Sequence, residues 1–190
     1  ALLNEYPAFS ETGDVQSCRP HILVIGLGRM GESLVVHAAR GWRARRTVTD
    51  ERMRVTIIDR EAERKVESLC LRYPQLEQVC ELVAQQMDIR WPEFQRANFF
   101  FDSRGHCDVT TVYVCLGNDS LGLAAGLALL QRVREQRIPI VVRMTHDAGL
   151  ATLLQGVEVG GGFDNLHAFG LLDRTCKPDL ILGGTHEALA

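Results

Sequence analysis

The residues best suited to chemistry are Gly26-Leu27-Gly28-Arg29-Met30-Gly31 and, further along, Asp59 in the run Val-Thr-Ile-Ile-Asp-Arg. Glycines at this spacing suit a turn that closes on the phosphates of a nucleotide. Gly26 permits the tight turn, Gly28 lets the backbone approach a pyrophosphate, and Gly31 lets the next helix pack closely on its sheet. A helix that starts there offers unpaired N–H groups and a partial positive charge to an anion. Arg29, inside the turn with Met30, puts a cation within reach of a terminal phosphate. A carboxylate at Asp59 can accept both ribose hydroxyls of an adenosine, and it repels a 2′-phosphate. The expected ligand is therefore NAD(H) or an adenine nucleotide, ATP or ADP, rather than NADP. Arg60 beside it weakens that preference.

The types and spacings needed for catalysis do not assemble. There are two lysines, Lys65 and Lys177, and neither lies in a Walker-type phosphate loop. None of Tyr6, Tyr73 and Tyr113 is followed four residues later by lysine, so a Tyr-Lys proton relay at that spacing is missing. No Gly-x-Ser-x-Gly turn occurs. His146, in Met-Thr-His-Asp-Ala-Gly, is the best single general base, but a lone histidine is more often a cap or a surface residue. The six cysteines form no C-x-x-C pair. His106-Cys107-Asp108 are adjacent, and adjacent side chains rarely converge on one ion. No catalytic residue and no metal ligand is assigned, and the reading is of a protein that is not an enzyme.

These residues need elements to hold them. An apolar strand over 21–26 runs into the glycine turn, and a helix follows over 29–41. Val55 to Asp59 forms a second strand. Ala62, Val66, Leu69, Cys70 and Tyr73 then keep helical spacing until Pro74 stops them. Strands are expected over 80–84, 111–116, 138–143 and 166–169, and helices over 120–136 and 146–155. Residues 91–108 show no clear period, and 40–54, with its six arginines, reads as a solvated loop. Strands alternate with helices, and several are apolar on both faces. The fold class is α/β: a Rossmann-like, doubly wound parallel sheet of about six strands with helices on both faces. Ligands of such sheets bind at the carboxyl ends of the strands. Asp88, Gly117, Asn118, Asp119 and Arg143 fall on that edge.

Residues 1–20 read as a linker or irregular lead-in, 21–170 as the nucleotide-binding domain, and 171–190 as a tail leading to a further domain. The chain starts at Ala1 rather than Met, which suggests an excised piece of a longer protein. Its composition, 46% hydrophobic and 24% charged, is that of an ordinary globular domain. A net charge of −3 favours neither nucleic acid nor an anionic membrane. The longest apolar run, Leu121 to Leu130, is about half of what a bilayer span needs. Cysteines placed in apolar patterns point to a reducing, cytoplasmic setting.

Four segments carry a family resemblance. HILVIGLGRMGESL, VTIIDREAER, TTVYVCLGNDSLGLAAGLALL and IPIVVRMTHDAGLATLL resemble successive parts of an RCK domain, the regulator of potassium conductance, also called KTN or Trk-type NAD-binding domain. The resemblance spans about residues 21 to 155. It implies a non-catalytic cytosolic module that binds NAD(H), ATP or ADP, forms a homodimer or larger ring, and gates a potassium channel or transporter. It places Gly26, Gly28, Arg29, Met30 and Gly31 on phosphate and Asp59 on ribose. Asp88 and the turn from Gly117 to Asp119 would line the rest of the pocket. Met87-Asp88-Ile89 stands where the family has Gly-Asp-Ala, and the arginine-rich segment departs from its pattern. The tail resembles the run-in to the ryanodine-receptor-like repeat of some bacterial channel-like proteins. The rival reading is a small NAD-dependent oxidoreductase, or a fragment of one.

Overall fold

In the computed structural model, which describes residues 19–45, 51–101, 104–145 and 165–170, six short apolar runs form one sheet. They are β1 (His21–Ile25), β2 (Met53–Asp59), β3 (Cys80–Gln86), β4 (Thr111–Val114), β5 (Ile140–Met144) and β6 (Leu166–Gly170). Their order is β3-β2-β1-β4-β5-β6, and every neighbouring pair is parallel. β1, β4 and most of β2 and β5 are buried, as strands covered on both faces must be. From β1 the chain winds outward through β2 to β3, then returns to β4 on the other side of β1. Ile25 lies beside both Ile58 and Val114, so the turn after β1 emerges where the winding reverses.

The helices are α1 (Arg29–Arg45), α2 (Ala62–Arg72), α3 (Leu76–Val79), α4 (Pro92–Arg96) and α5 (Asp119–Arg132), with a 3-10 turn at Asn98–Phe100. Alternating strand residues face opposite sides. Ile22, Val24, Val55 and Ile57 pack with Leu34 and Val35 of α1, Leu69 of α2 and Leu76 of α3. Leu23, Ile25, Val112 and Val142 pack on the other side with Phe94 of α4, Phe100 of the 3-10 turn and Leu129 of α5. The sheet is thus doubly wound, as expected.

Two segments depart from the sequence reading. The arginine-rich stretch is not all loop: α1 runs on to Arg45 and β2 starts at Met53. Trp42 explains the extension, because its ring packs on the core and its Nε1–H donates to the Glu51 carbonyl at 3.0 Å. Residues 91–108, which show no period, hold α4 and the 3-10 turn, with Phe94, Ala97 and Phe100 buried. Helices of five and three residues are too short to show a period. The expected helix at 146–155, residues 1–18 and the tail 171–190 lie outside the described residues. Among the described residues no helix is long and apolar enough to cross a membrane.

The amino edge of the sheet carries a buried polar joint. His21 Nδ1 lies 2.8 Å from an Asp108 carboxylate oxygen, and Nε2 lies 2.8 Å from the Thr56 hydroxyl. A carboxylate only accepts, so Nδ1–H donates to Asp108 and Nε2 accepts from Thr56. Arg54 also reaches Asp108, at 3.3 Å. The joint ties β1 to β2 and to the segment before β4.

Candidate functional site

A cleft of about 370 Å³ opens at the carboxyl edge, where the winding reverses. Open parallel sheets bind their ligands at this place. Gly26, Gly28, Asp59, Arg60, Asp88, Gly117 and Asn118 line it. Lys65, Arg90 and an apolar wall of Ile58, Met87, Ile89, Leu116 and Leu121 complete it.

The glycines of the turn differ in what requires them. Gly26 has φ +90°, and its N–H donates to the Ile58 carbonyl at 2.9 Å. A Cβ on Gly31 would stand 2.3 Å from the Gly26 carbonyl oxygen, so the protein's own packing demands glycine there. Gly28 is different: it is exposed, its φ is not positive, and a Cβ would meet nothing within 4 Å. The same holds at Gly117. Both face the cleft, and nothing inside the protein calls for glycine at either.

Asp59 closes β2 with its carboxylate almost buried, at 10% exposure. Leu27 N–H donates to Oδ2 at 2.9 Å and Glu61 N–H donates to Oδ1 at 3.0 Å. Lys65, in the first turn of α2, places Nζ 2.8 Å from Oδ1 and 2.7 Å from Oδ2. Burial alone would raise the Asp59 carboxyl, but Lys65 and the two N–H groups outweigh it and hold it below its ordinary value. The acid is thus a tie between the glycine turn and α2, where the sequence suggested a free ribose acceptor.

Asp88 is buried and gripped by its near neighbour. Arg90 donates to Oδ1 from its backbone N–H at 2.9 Å and from Nε at 3.0 Å, and to Oδ2 from Nη2 at 2.7 Å. The Arg90 guanidinium holds this carboxyl well below the usual carboxylate range. Met87 and Ile89, on either side, join the apolar wall. Cys115, also on the lining, has its thiol pushed up to about 12 by burial, so it is protonated at neutral pH.

The remaining expected residues lie close by but do not line the cleft. Arg29 is exposed beside the outer flank of α1, and Met30 packs half-buried on the core. Asp119 accepts from the Thr145 N–H at 2.8 Å and its hydroxyl at 3.0 Å, tying α5 to the end of β5. Arg143 donates from Nη1 to the Leu116 carbonyl at 3.0 Å. Asn118 lines the cleft and also caps α5, accepting from Leu121 N–H at 2.9 Å. His146 lies outside the described residues. Asp108 of the His-Cys-Asp run belongs to the amino-edge joint.

Sequence reading missed Lys65, Arg90, Met87, Ile89 and Leu121. The signal for Lys65 is its place one turn into the helix that follows Asp59. The charges on the lining balance: Asp59, Glu61 and Asp88 against Arg60, Lys65 and Arg90. No protein-family model matches the chain, and no curated protein matches it either.

Proposed function

We propose that the chain is a nucleotide-sensing regulatory domain. It binds NAD(H), ATP or ADP at the carboxyl edge of the sheet without turning the nucleotide over. It controls a linked potassium channel or transporter from the cytosolic side of the membrane, and it works as a homodimer or larger ring. The observation that carries the binding half is the pair of cleft-facing glycines, Gly28 and Gly117, that no internal contact requires. A phosphate that must approach the backbone would require them. The N–H groups at the start of α1 would take the pyrophosphate, and the wall from Ile58 to Leu121 would take adenine. The ribose would lie between them, beside Asp59 and Lys65. The resemblance of four segments to RCK domains supports the regulatory half. Control would work by differential affinity, with the nucleotide favouring one arrangement of linked domains.

The test is calorimetry and thermal melting with NADH, NAD, ATP and ADP. Binding is expected. At a hundredfold excess over Kd the folded state should gain about 2.7 kcal/mol. The nucleotide should be recovered chemically unchanged. Absence of binding by all four would remove the reading. Oxidation of NADH on addition of a carbonyl substrate would favour the oxidoreductase instead.

A further inference from the structure

An ionised carboxylate offers about four acceptor positions. At Asp59 four short bonds take them: Leu27 N–H and Lys65 on Oδ2, Glu61 N–H and Lys65 on Oδ1. A ribose hydroxyl could bind Asp59 only by displacing the lysine. That exchange gives up an ion pair for a bond from an uncharged hydroxyl, and it leaves the ammonium without its counter-charge. The ribose end of the cleft therefore presents a cation rather than an acid. An ammonium has three donors, and two of those on Lys65 go to Asp59. The third is left over on a side chain 30% exposed on the cleft lining. Arg60 stands next to Asp59 on the same lining, exposed, with no carboxylate within salt-bridge distance among the described residues. The carboxylate it acts on across the cleft is Asp88, which Arg90 already grips with both side-chain bonds.

We infer that Lys65 and Arg60 select an adenosine whose ribose carries a phosphate. This deepens the nucleotide reading and rests on it. It reverses the preference drawn from Asp59 alone. Two ligand types share this chemistry, a 2′-phosphate as in NADP(H) and a 3′-phosphate as in coenzyme A.

The test uses calorimetry on the full chain with three isomers: ADP, adenosine 2′,5′-bisphosphate and adenosine 3′,5′-bisphosphate. The two bisphosphates carry equal charge, so a difference between them reads phosphate position. Each has one more ionisable proton than ADP, so the comparison with ADP is read through the variants. One bisphosphate should bind, and Lys65→Met should weaken it about tenfold, the effect of losing one charge-assisted bond. Arg60→Gln should act the same way, and it touches no tie of the fold. ADP should lose less affinity than the bisphosphate in both variants, since its phosphates lie at the other end of the cleft. Which bisphosphate binds distinguishes the 2′ from the 3′ type. ADP binding with neither bisphosphate, or equal losses for ADP and bisphosphate, would overturn the inference and leave the nucleotide site standing. Failure of all three ligands would remove the nucleotide reading itself. If Lys65→Met fails to fold, Arg60→Gln and the wild-type preference still decide.

Discussion

Gly28 and Gly31 belong to one motif and should fail in opposite ways. Gly28→Val adds a side chain where the protein has open space, so unfolding free energy should change by no more than about 0.5 kcal/mol. Nucleotide affinity should be lost, because the side chain fills the phosphate cradle. Gly31→Ala puts a methyl 2.3 Å from the Gly26 carbonyl oxygen, which backbone alone must relieve. It should cost about 1–3 kcal/mol, the range for overpacking. Urea unfolding with calorimetry separates the two, and equal stability losses would undo the assignment. The motif was readable because glycine spacing before a helix is local information. The state of Asp59 was not. Its place at a strand end is written in the sequence, but its capture by Lys65 depends on how α2 leaves the turn. Asp59→Ala should therefore cost the fold about 1–3 kcal/mol through the unpaired N–H groups and the lysine, whatever it does to ligand. An unchanged urea midpoint would show that these bonds contribute nothing.

Among the elements, α5 shows best what a pattern reveals and what it leaves out. Its sequence is apolar nearly all round, more than one sheet face requires. Gly122, Ala125, Gly126 and Leu129 are buried, while Leu121 and Ala124 are exposed. The glycines let the helix lie close: a Cβ on Gly126 would come 2.7 Å from Val142 Cγ2. If the outer face of α5 is where a second copy docks, Ala124→Glu should abolish dimerisation without touching the core. Light scattering at high concentration checks it, and a wild type that stays monomeric would remove the idea. The long elements were legible because they repeat: β1, β4 and β5 as apolar runs, α1 and α2 as helical stripes. The stretch from Trp91 to Cys107 was not, because its buried Phe94 and Phe100 sit on single turns. The end of α1 was misread for another reason. Arg43 and Arg45 look like loop residues, yet Trp42 holds that turn against the core.

At the scale of the molecule, the sheet separates two sets of polar groups, a ligand cleft at its carboxyl edge and the His21 joint at its amino edge. Right-handed crossovers allow more than one strand order, but the parallel, doubly wound class follows from the alternation of strands and helices and could be read. The joint could not, since His21, Thr56 and Asp108 lie far apart in the chain and only the folded register unites them. It gives the protein a definite response to acid. Burial lowers the His21 pKa from its ordinary 6.5, against the Asp108 hydrogen bond and charge, which raise it, and with Arg54 and Arg19, which lower it further. The folded state therefore binds fewer protons at His21 than the unfolded chain does. Where that holds, stability rises with pH. The contribution is complete above about 6.5 and falls as pH drops through the unfolded value toward the folded one. The slope is at most about 1.4 kcal/mol per pH unit for one proton. The carboxylates act lower. Asp59, Asp88 and Asp108 are held below 3.8, so their contribution is present above that value and is lost as pH falls beneath it. Wild type should thus lose stability in two stages, one starting near pH 6.5 and one below about pH 4. His21→Gln keeps a donor for Asp108 but cannot take up a proton. It should flatten the first stage and leave the part of the second that comes from Asp59 and Asp88, since Asp108 is itself lowered by His21. Melting temperatures from pH 7.5 to 3 read both, and a variant that tracks the wild type between pH 7 and 5 would show that His21 is not the group being titrated.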